Sequence, residues 1–270
     1  MKGLLLKDYH TLRRRLLVWG ITLAFTAIVC VVFMISAKQG YVASFYDKVL
    51  KADAWLIPYL TRIVLLLFLL LSMAASLDLI RHTFYVDKEA SSCREAGSVP
   101  VSTAQRVGAR FLLMAAAVFG AIAVDFVLLI IVRMTADVMP FGNSMSIVLA
   151  LAGVTIFAQT LGMFWGYNCG AGAVLYGNFV SLMIVFAAIL IHNRELLGRV
   201  LTADGSKTTE VLMEVFSGAS HFLEHKGGYV FLASLPIMAA GYGVAVWIAG
   251  RKREERTGLQ ETPQPAEKDD

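Results

Sequence analysis

The sequence has few charged residues for its length. Asp, Glu, Lys and Arg make up 16% of the 270 residues, and 57% are hydrophobic, whereas soluble domains average about 25% charged residues. Mean hydropathy is +0.67. This balance argues against an ordinary soluble domain and predicts an all-α integral membrane protein with several transmembrane helices.

Cysteine is also scarce. Cys30, Cys93 and Cys169 are far apart, so neither a disulfide framework nor a metal cluster is predicted. The first apolar run, Leu16–Ser36, is longer than the ~7–15 apolar residues of a signal peptide, and no A-x-A site follows it. We therefore expect this run to form the first membrane span.

Two short motifs resemble parts of enzyme sites. His221–His225 matches the zinc pattern H-x-x-E-H, but no clear third ligand is evident. We interpret it as a structural segment, with a two-histidine metal site as the alternative. Gly205–Thr208 resembles the end of a phosphate loop, but Val200 stands at the position of the first glycine. We therefore expect no catalytic residue, nucleotide, cofactor or metal on this chain.

Six apolar runs predict one six-span domain over residues 1–250, followed by a disordered tail over 251–270. Between the fifth and sixth spans, residues 192–228 are expected to form short outer helices at Asn193–Leu201 and Val211–Leu223. The predicted spans are Leu16–Ser36, Pro58–Leu79, Phe111–Val132, Met145–Trp165, Ala173–Ile191 and Tyr229–Ala249.

The basic residues predict the orientation of the chain. Residues 1–15, 81–110 and 251–270 hold five Lys or Arg each, while the loops on the other side hold three, one and four. By the positive-inside rule, both termini and the loop 81–110 lie in the cytoplasm of a cell whose inner membrane holds the spans. Because this charge sits at the ends of spans, we do not expect nucleic-acid binding.

The first 15 residues combine an apolar helical face with basic charge. Such a helix lies in the membrane interface and contacts lipid, and the alternative is a helical extension of the first span. The apolar face and the basic end are formed by Leu5, Tyr9 and Leu12 and by Arg13, Arg14 and Arg15.

The polar loop at 81–110 has capping signals of its own. Asp87 is a predicted N-cap for a short charged helix, Lys88–Ala96, which the following glycine ends. Pro100 favours an extended step, and Ser102–Gln105 fits a capping box that starts the helix of the third span. The alternative is an ordinary solvated loop.

Asp125 is the one charge well inside a predicted span. Buried carboxylates are costly and usually have a role. We predict an ion pair with Arg62, because both residues lie toward the outer half of neighbouring spans; a proton or cation relay is the alternative. Asp78 and Arg81 are spaced to pair at i, i+3.

Three glycines, Gly162, Gly166 and Gly170, recur at every fourth residue. Small residues at this spacing let helix backbones approach closely in membranes. We predict close packing of the fourth and fifth spans, with a dimer seam as the alternative.

Taken together, these features resemble the permease subunit of type-2 ABC transporters, and most of all the small six-span bacterial permeases associated with export of peptides. The order of elements covers nearly the whole chain. Val99 stands where that family often has leucine, and Arg110 where lysine is common. The resemblance is carried by Met1–Asp8, Asp87–Glu89, and Pro100–Ser102 leading to Val107 and Arg110.

The resemblance implies two copies of a separate ATPase subunit that binds ATP and Mg²⁺, and a second permease copy. It also implies a coupling helix in the loop 81–110. The competing class is an ion-coupled secondary carrier or a membrane sensor without an ATPase. The residues expected to contact the ATPase are Asp87, Lys88, Glu89, Arg94, Glu95, Pro100, Val101 and Ser102.

The orientation is tested by cysteine labelling of intact cells with a reagent that does not cross membranes. Cys93 should resist the reagent, because the loop 81–110 faces the cytoplasm. A cysteine introduced by Ser206→Cys should react, because residues 192–228 face outward. Outside labelling of Cys93 would contradict this orientation.

Overall fold

The computed structural model describes residues 2–45, 57–92, 102–135, 141–192 and 208–260. Every regular element within these ranges is an α-helix, in agreement with the all-α prediction. In chain order the helices are α1 (Lys2–Lys38), α2 (Tyr41–Phe45), α3 (Ile57–Ser92), α4 (Thr103–Thr135), α5 (Phe141–Cys169), α6 (Ala173–His192) and α7 (Thr208–Gln260).

Five helices are long and apolar enough to cross a bilayer. Helix α6 contributes a shorter apolar stretch, Ala173–Val185, among its described side chains. The chain is therefore a multi-pass, all-helical membrane protein, while its sixth crossing stays a prediction. The five candidate spans are Leu12–Lys38, Thr61–Phe84, Thr103–Met134, Phe141–Cys169 and Phe222–Arg251.

Helix α3 continues through Asp87 to Ser92, so the prediction that a separate helix begins after Asp87 is wrong. The physical reason is that no glycine lies between Ile57 and Ser92, and the single proline, Pro58, falls in the first turn, where proline is tolerated. The remainder of the predicted coupling helix, residues 93–96, lies outside the described residues.

Helix α1 is likewise continuous from Lys2 to Lys38. The segment predicted to lie in the interface and the segment predicted to span the membrane belong to one helix. This continuity favours the alternative interpretation, in which residues 1–15 extend the first span.

Helix α7 joins the predicted outer helix Val211–Leu223 to the predicted sixth span without interruption. It also runs on to Gln260, so the predicted disorder of residues 251–260 is wrong. Opposite charges at i, i+4, such as Arg251 and Glu255, favour helix in this polar stretch. Residues 193–201 and 261–270 lie outside the described part of the chain.

Helix α5 is the centre of the bundle and α1 lies at its edge. In the most apolar window of each candidate span, 67% of the α5 residues are buried, against 6% for α1. Two apolar clusters surround α5 toward its opposite ends. The first includes Phe68, Leu129 and Ile147, and the second includes Phe84 and Met163.

Helices α5 and α7 pack in parallel at very short range. The hydroxyl of Ser146 on α5 donates to the Leu223 carbonyl at 2.9 Å and accepts from the Gly227 N–H at 3.2 Å. Further along, a Cβ atom on Gly153 would lie 2.9 Å from the Phe231 Cα. Residue numbers rise along both helices from one contact to the next, which makes the helices parallel. Glycine at these contacts lets the backbones meet.

Helices α5 and α6 form a tight antiparallel hairpin. Gly170 has φ +96°, a left-handed conformation that glycine adopts without strain, and its carbonyl accepts from Ala173 N–H at 3.0 Å. A Cβ on Gly177 would lie 2.9 Å from the Gly162 Cα. The predicted close packing of these helices is confirmed at Gly162 and Gly166, whereas Gly170 makes the turn.

Replacing Gly153 with alanine should lower the thermal stability of the full chain in lipid or detergent. The new methyl group would press on the α7 backbone at Phe231, and overpacking of this kind costs about 1–3 kcal/mol. Gly120→Ala is the matched control, since a Cβ there meets nothing within 4 Å. Equal melting temperatures for the two variants would contradict the close α5–α7 contact.

Candidate functional site

The predicted capping box at the start of α4 is confirmed. The Ser102 N–H donates to Gln105 Oε1 at 3.3 Å, and the Gln105 N–H donates to Ser102 Oγ at 3.2 Å. Helix α4 begins at Thr103. The helix that enters the bilayer is therefore fixed at its first turn.

The other residues predicted to contact an ATPase divide into two groups. The backbones of Asp87, Lys88 and Glu89 lie in the last part of α3. The remaining predicted contacts, Arg94, Glu95, Pro100 and Val101, lie outside the described residues.

Arg110 connects three helices near this end of the bundle. Its side chain is only 7% exposed, and its guanidinium carbon lies 4.1 Å from the Phe84 ring centroid and 5.4 Å from that of Tyr167. The two rings meet edge to face, with centroids 5.2 Å apart. A desolvated cation–π contact is worth about 2 kcal/mol, so Arg110 holds α3, α4 and α5 together. In the sequence, Arg110 stood out only through the family resemblance.

Asp78 collects three donors at the α1–α3 contact. Arg81 Nη2 lies 3.1 Å from Asp78 Oδ1, which confirms the predicted i, i+3 pair. Asp78 Oδ2 accepts from Arg15 Nη1 at 2.8 Å and from Trp19 Nε1 at 3.0 Å. Arg15 was predicted to face the membrane interface, and it ties α1 to α3 instead.

The other residues of the predicted interfacial face do not share one environment. Leu12 is 1% exposed and packs inward, whereas Tyr9 is 51% exposed. Arg13 and Arg14 are exposed, and the side chain of Leu5 lies outside the described set. Helical spacing alone does not reveal that the bundle covers only part of this face.

The predicted ion pair between Asp125 and Arg62 is wrong. Asp125 is 0% exposed and faces Ser72, whose Oγ lies 2.8 Å from Asp125 Oδ2. Arg62 is exposed, ten residues before Ser72 on α3, which places it ~15 Å away along the helix axis. Asp125 forms no ion pair with any described residue.

Asp125 belongs to a layer of buried polar side chains on α3, α4 and α5. Ser76, one turn after Ser72, accepts from Gln159 Nε2 at 3.2 Å. Gln159 is 1% exposed. The Oδ1 of Asp125 and the Oε1 of Gln159 have no hydrogen-bond partner. We name this set, Ser72, Ser76, Asp125 and Gln159, the polar layer.

The polar layer is costly for folding. Transferring an ionised carboxylate out of water costs several kcal/mol even after relaxation, unless a partner compensates. Membrane-buried ionisable groups without such compensation are candidates for function. The sequence did reveal Asp125, but not its partners, because only the packing of α3 against α4 and α5 brings these residues together.

The H-x-x-E-H segment lies beside an open groove between α5 and α7. The groove has a volume of about 550 Å³ and is lined by residues that include Met145, His225 and Tyr229. Glu224 Oε2 accepts from Asn143 Nδ2 at 3.2 Å. The side chain of His221 is not among those described, and the described residues contain no group of three His, Cys, Asp or Glu that could hold a metal ion.

A comparison with protein families, curated proteins and solved structures finds no match to this chain. The interpretation of its function therefore rests on its own residues.

The two arginine assignments are tested by double-mutant cycles on thermal unfolding of the full chain. Arg15→Gln and Asp78→Asn should be coupled by about 1 kcal/mol, because the ion pair is only part-exposed and is supported by Trp19. Arg62→Gln and Asp125→Asn should be additive, since these side chains do not meet. Coupling between Arg62 and Asp125 would contradict this assignment.

Proposed function

We propose that this chain is the membrane subunit of an ATP-driven exporter of the type-2 ABC kind, in the inner membrane of a bacterium. It would move an amphipathic or hydrophobic substrate, such as a toxin or antimicrobial peptide, out of the cell. ATP and Mg²⁺ would bind to two copies of a separate ATPase subunit. A second permease, the same chain or a related one, would complete the pathway.

The observation that carries this proposal is the unbroken helix α3. The predicted span ends at Leu79, but the helix continues to Ser92. These thirteen further residues extend it by ~20 Å at 1.5 Å per residue. A partner that binds the far end of such a helix can displace the membrane span, because a continuous helix transmits force better than a flexible loop.

The base of this extension is firmly held. Phe84, five residues beyond the predicted span, lies under the guanidinium of Arg110 on α4, and α4 starts only a few residues earlier, at the Ser102 capping box. A push on the α3 extension therefore reaches α4 and α5 directly. In this mechanism the motion would change the access of a central pathway between two permease copies.

The predicted orientation supports the same assignment. The α3 extension and the start of α4 flank the loop that holds five Lys or Arg, and such loops stay in the cytoplasm. An ATPase that uses cellular ATP would meet the chain on this side. Six spans with both termini inside would complete the arrangement.

An ion-coupled carrier is the second candidate function, and a specific observation favours it. Asp125 is fully buried in a candidate span and has no cationic partner among the described residues. Carboxylates in such positions serve as proton or ion sites in transporters. A carrier of this kind would need no ATPase.

The experiment begins by co-purifying the chain with an ATPase that contains a phosphate-loop motif, and then reconstituting both in vesicles. Lys88→Pro should break the α3 extension and reduce substrate-stimulated ATP hydrolysis to its unstimulated rate. Lys88→Ala, which keeps the helix, should retain stimulation. The double reversal Glu89→Lys with Arg94→Glu should also uncouple hydrolysis from export while the chain stays in the membrane.

Wild-type stimulation, assembly and export in both Lys88→Pro and the double reversal would overturn the coupling mechanism. Transport driven by an imposed ion gradient in vesicles that contain this chain alone would replace the exporter with the carrier.

A further inference from the structure

We propose that Asp125 and Ser72 form a buried proton-binding site, in which the Asp125 carboxyl carries an exchangeable proton and uses it to donate a hydrogen bond to Ser72 Oγ. This inference does not depend on the exporter function. It rests on the hydrogen bonds available to the two side chains and on the charges that surround them.

The Ser72 hydroxyl has more acceptors near it than hydrogens to donate. Ser72 Oγ lies 2.8 Å from two acceptors, the Leu69 carbonyl oxygen and Asp125 Oδ2. A serine hydroxyl has one hydrogen to donate. If the hydrogen points to Leu69, the contact with Asp125 is a hydrogen bond only when Asp125 supplies the proton.

Other buried hydroxyls at the same spacing direct their hydrogen to their own helix. Ser76, Thr83 and Ser234 each donate to the carbonyl three residues earlier, at 2.7 Å. Ser76 also accepts from a true donor, Gln159 Nε2. Ser72 has the same i−3 geometry and lies one turn away on the same face. With its hydrogen on the Leu69 carbonyl, an Oγ lone pair faces Asp125, and only a donor on Asp125 completes that hydrogen bond.

Among the described residues, no compensating charge pairs with Asp125. Cys30 on α1 shares the surrounding apolar cluster, and α3 and α5 present Ser72 and Gln159. The other charged groups and the histidine at this end of the bundle are directed elsewhere. Glu224 accepts from Asn143, and the rest are exposed: Lys38, Arg62, Arg133, His225 and Lys226. A proton is the smallest ligand that neutralises the carboxylate in place.

The unpartnered oxygens define the ligand further. Asp125 Oδ1 and Gln159 Oε1 are the two such oxygens in the polar layer. Hard divalent cations require more, since Ca²⁺ takes 6–8 oxygen ligands and Mg²⁺ an octahedral set. A proton needs one oxygen and one acceptor, which Asp125 and Ser72 supply.

The site would also link proton binding to helix packing. With the proton bound, the Asp125–Ser72 hydrogen bond holds α4 against α3. Without it, Ser72 must turn its hydrogen from the Leu69 carbonyl to the Asp125 carboxylate. The charge itself stays uncompensated in an apolar cluster, and the two helices gain by separating or by admitting water. Proton occupancy would therefore select between two arrangements of α3 and α4.

The test uses infrared difference spectroscopy of the full chain in lipid nanodiscs during a pH titration. The wild type should show the carbonyl stretch of a protonated carboxyl group, shifted in heavy water and insensitive to sodium at fixed pH. Asp125→Asn should lose this band, and its amide N–H can replace the donated hydrogen bond. Asp78→Asn is the control and should retain it.

Ser72→Ala provides a second readout that a merely structural carboxyl would not give. Removing the acceptor should move the band to higher frequency, because the acid proton loses its hydrogen bond. The proposal is overturned if the band persists in Asp125→Asn, if Ser72→Ala leaves its frequency unchanged, or if sodium at fixed pH abolishes it. The last result would identify a metal-cation site instead.

Discussion

Close approach of helix backbones along α5 is the constraint on which the rest of the structure depends. Between helices in a bilayer the hydrophobic effect gives little attraction, because lipid tails are as apolar as leucine. Packing contacts and interhelical hydrogen bonds must replace it. Gly153 and Gly162 on α5, together with Gly227 on α7 and Gly177 on α6, lie where a Cβ atom would overlap the neighbouring helix. The Ser146 hydroxyl adds a polar contact that bridges two backbone groups of α7.

The polar layer depends on this close packing of the helices. Gln159 projects from α5 to Ser76 on α3, between the apolar cluster around Phe68 and the one around Phe84. Buried polar groups in low dielectric are strongly held when paired and costly when not. Rigid packing above and below the layer keeps its partly satisfied groups in place.

Polar contacts within one helix could be predicted from the sequence, whereas polar contacts between helices could not. The capping box at Ser102 and the Asp78–Arg81 pair depend on residues three apart, so spacing alone identifies them. The pairing of Arg62 with Asp125 was predicted from their similar depth in the membrane. The contact depends instead on the face of α3 that packs against α4, and that face carries Ser72. Arg15 was assigned to the interface because nothing in its surroundings marks Asp78 as its partner. At Asp87 a favourable cap residue was overridden, because a helix that meets no glycine or internal proline continues.

The burial of the helices has a consequence for how the chain is made. Helix α1 is the least buried of the candidate spans, at 6% of its most apolar window, and with a window hydropathy of 2.6 it can settle in a bilayer by itself. Helix α5 has a lower value, 2.0, carries Gln159, and fits against α7 through glycine contacts. Because chains are synthesised from the N-terminus, α7 leaves the ribosome last of the described helices. The centre of the bundle therefore stays open until synthesis is nearly finished, and a ribosome that stalls before residue 222 leaves α5 in the membrane without its main partner.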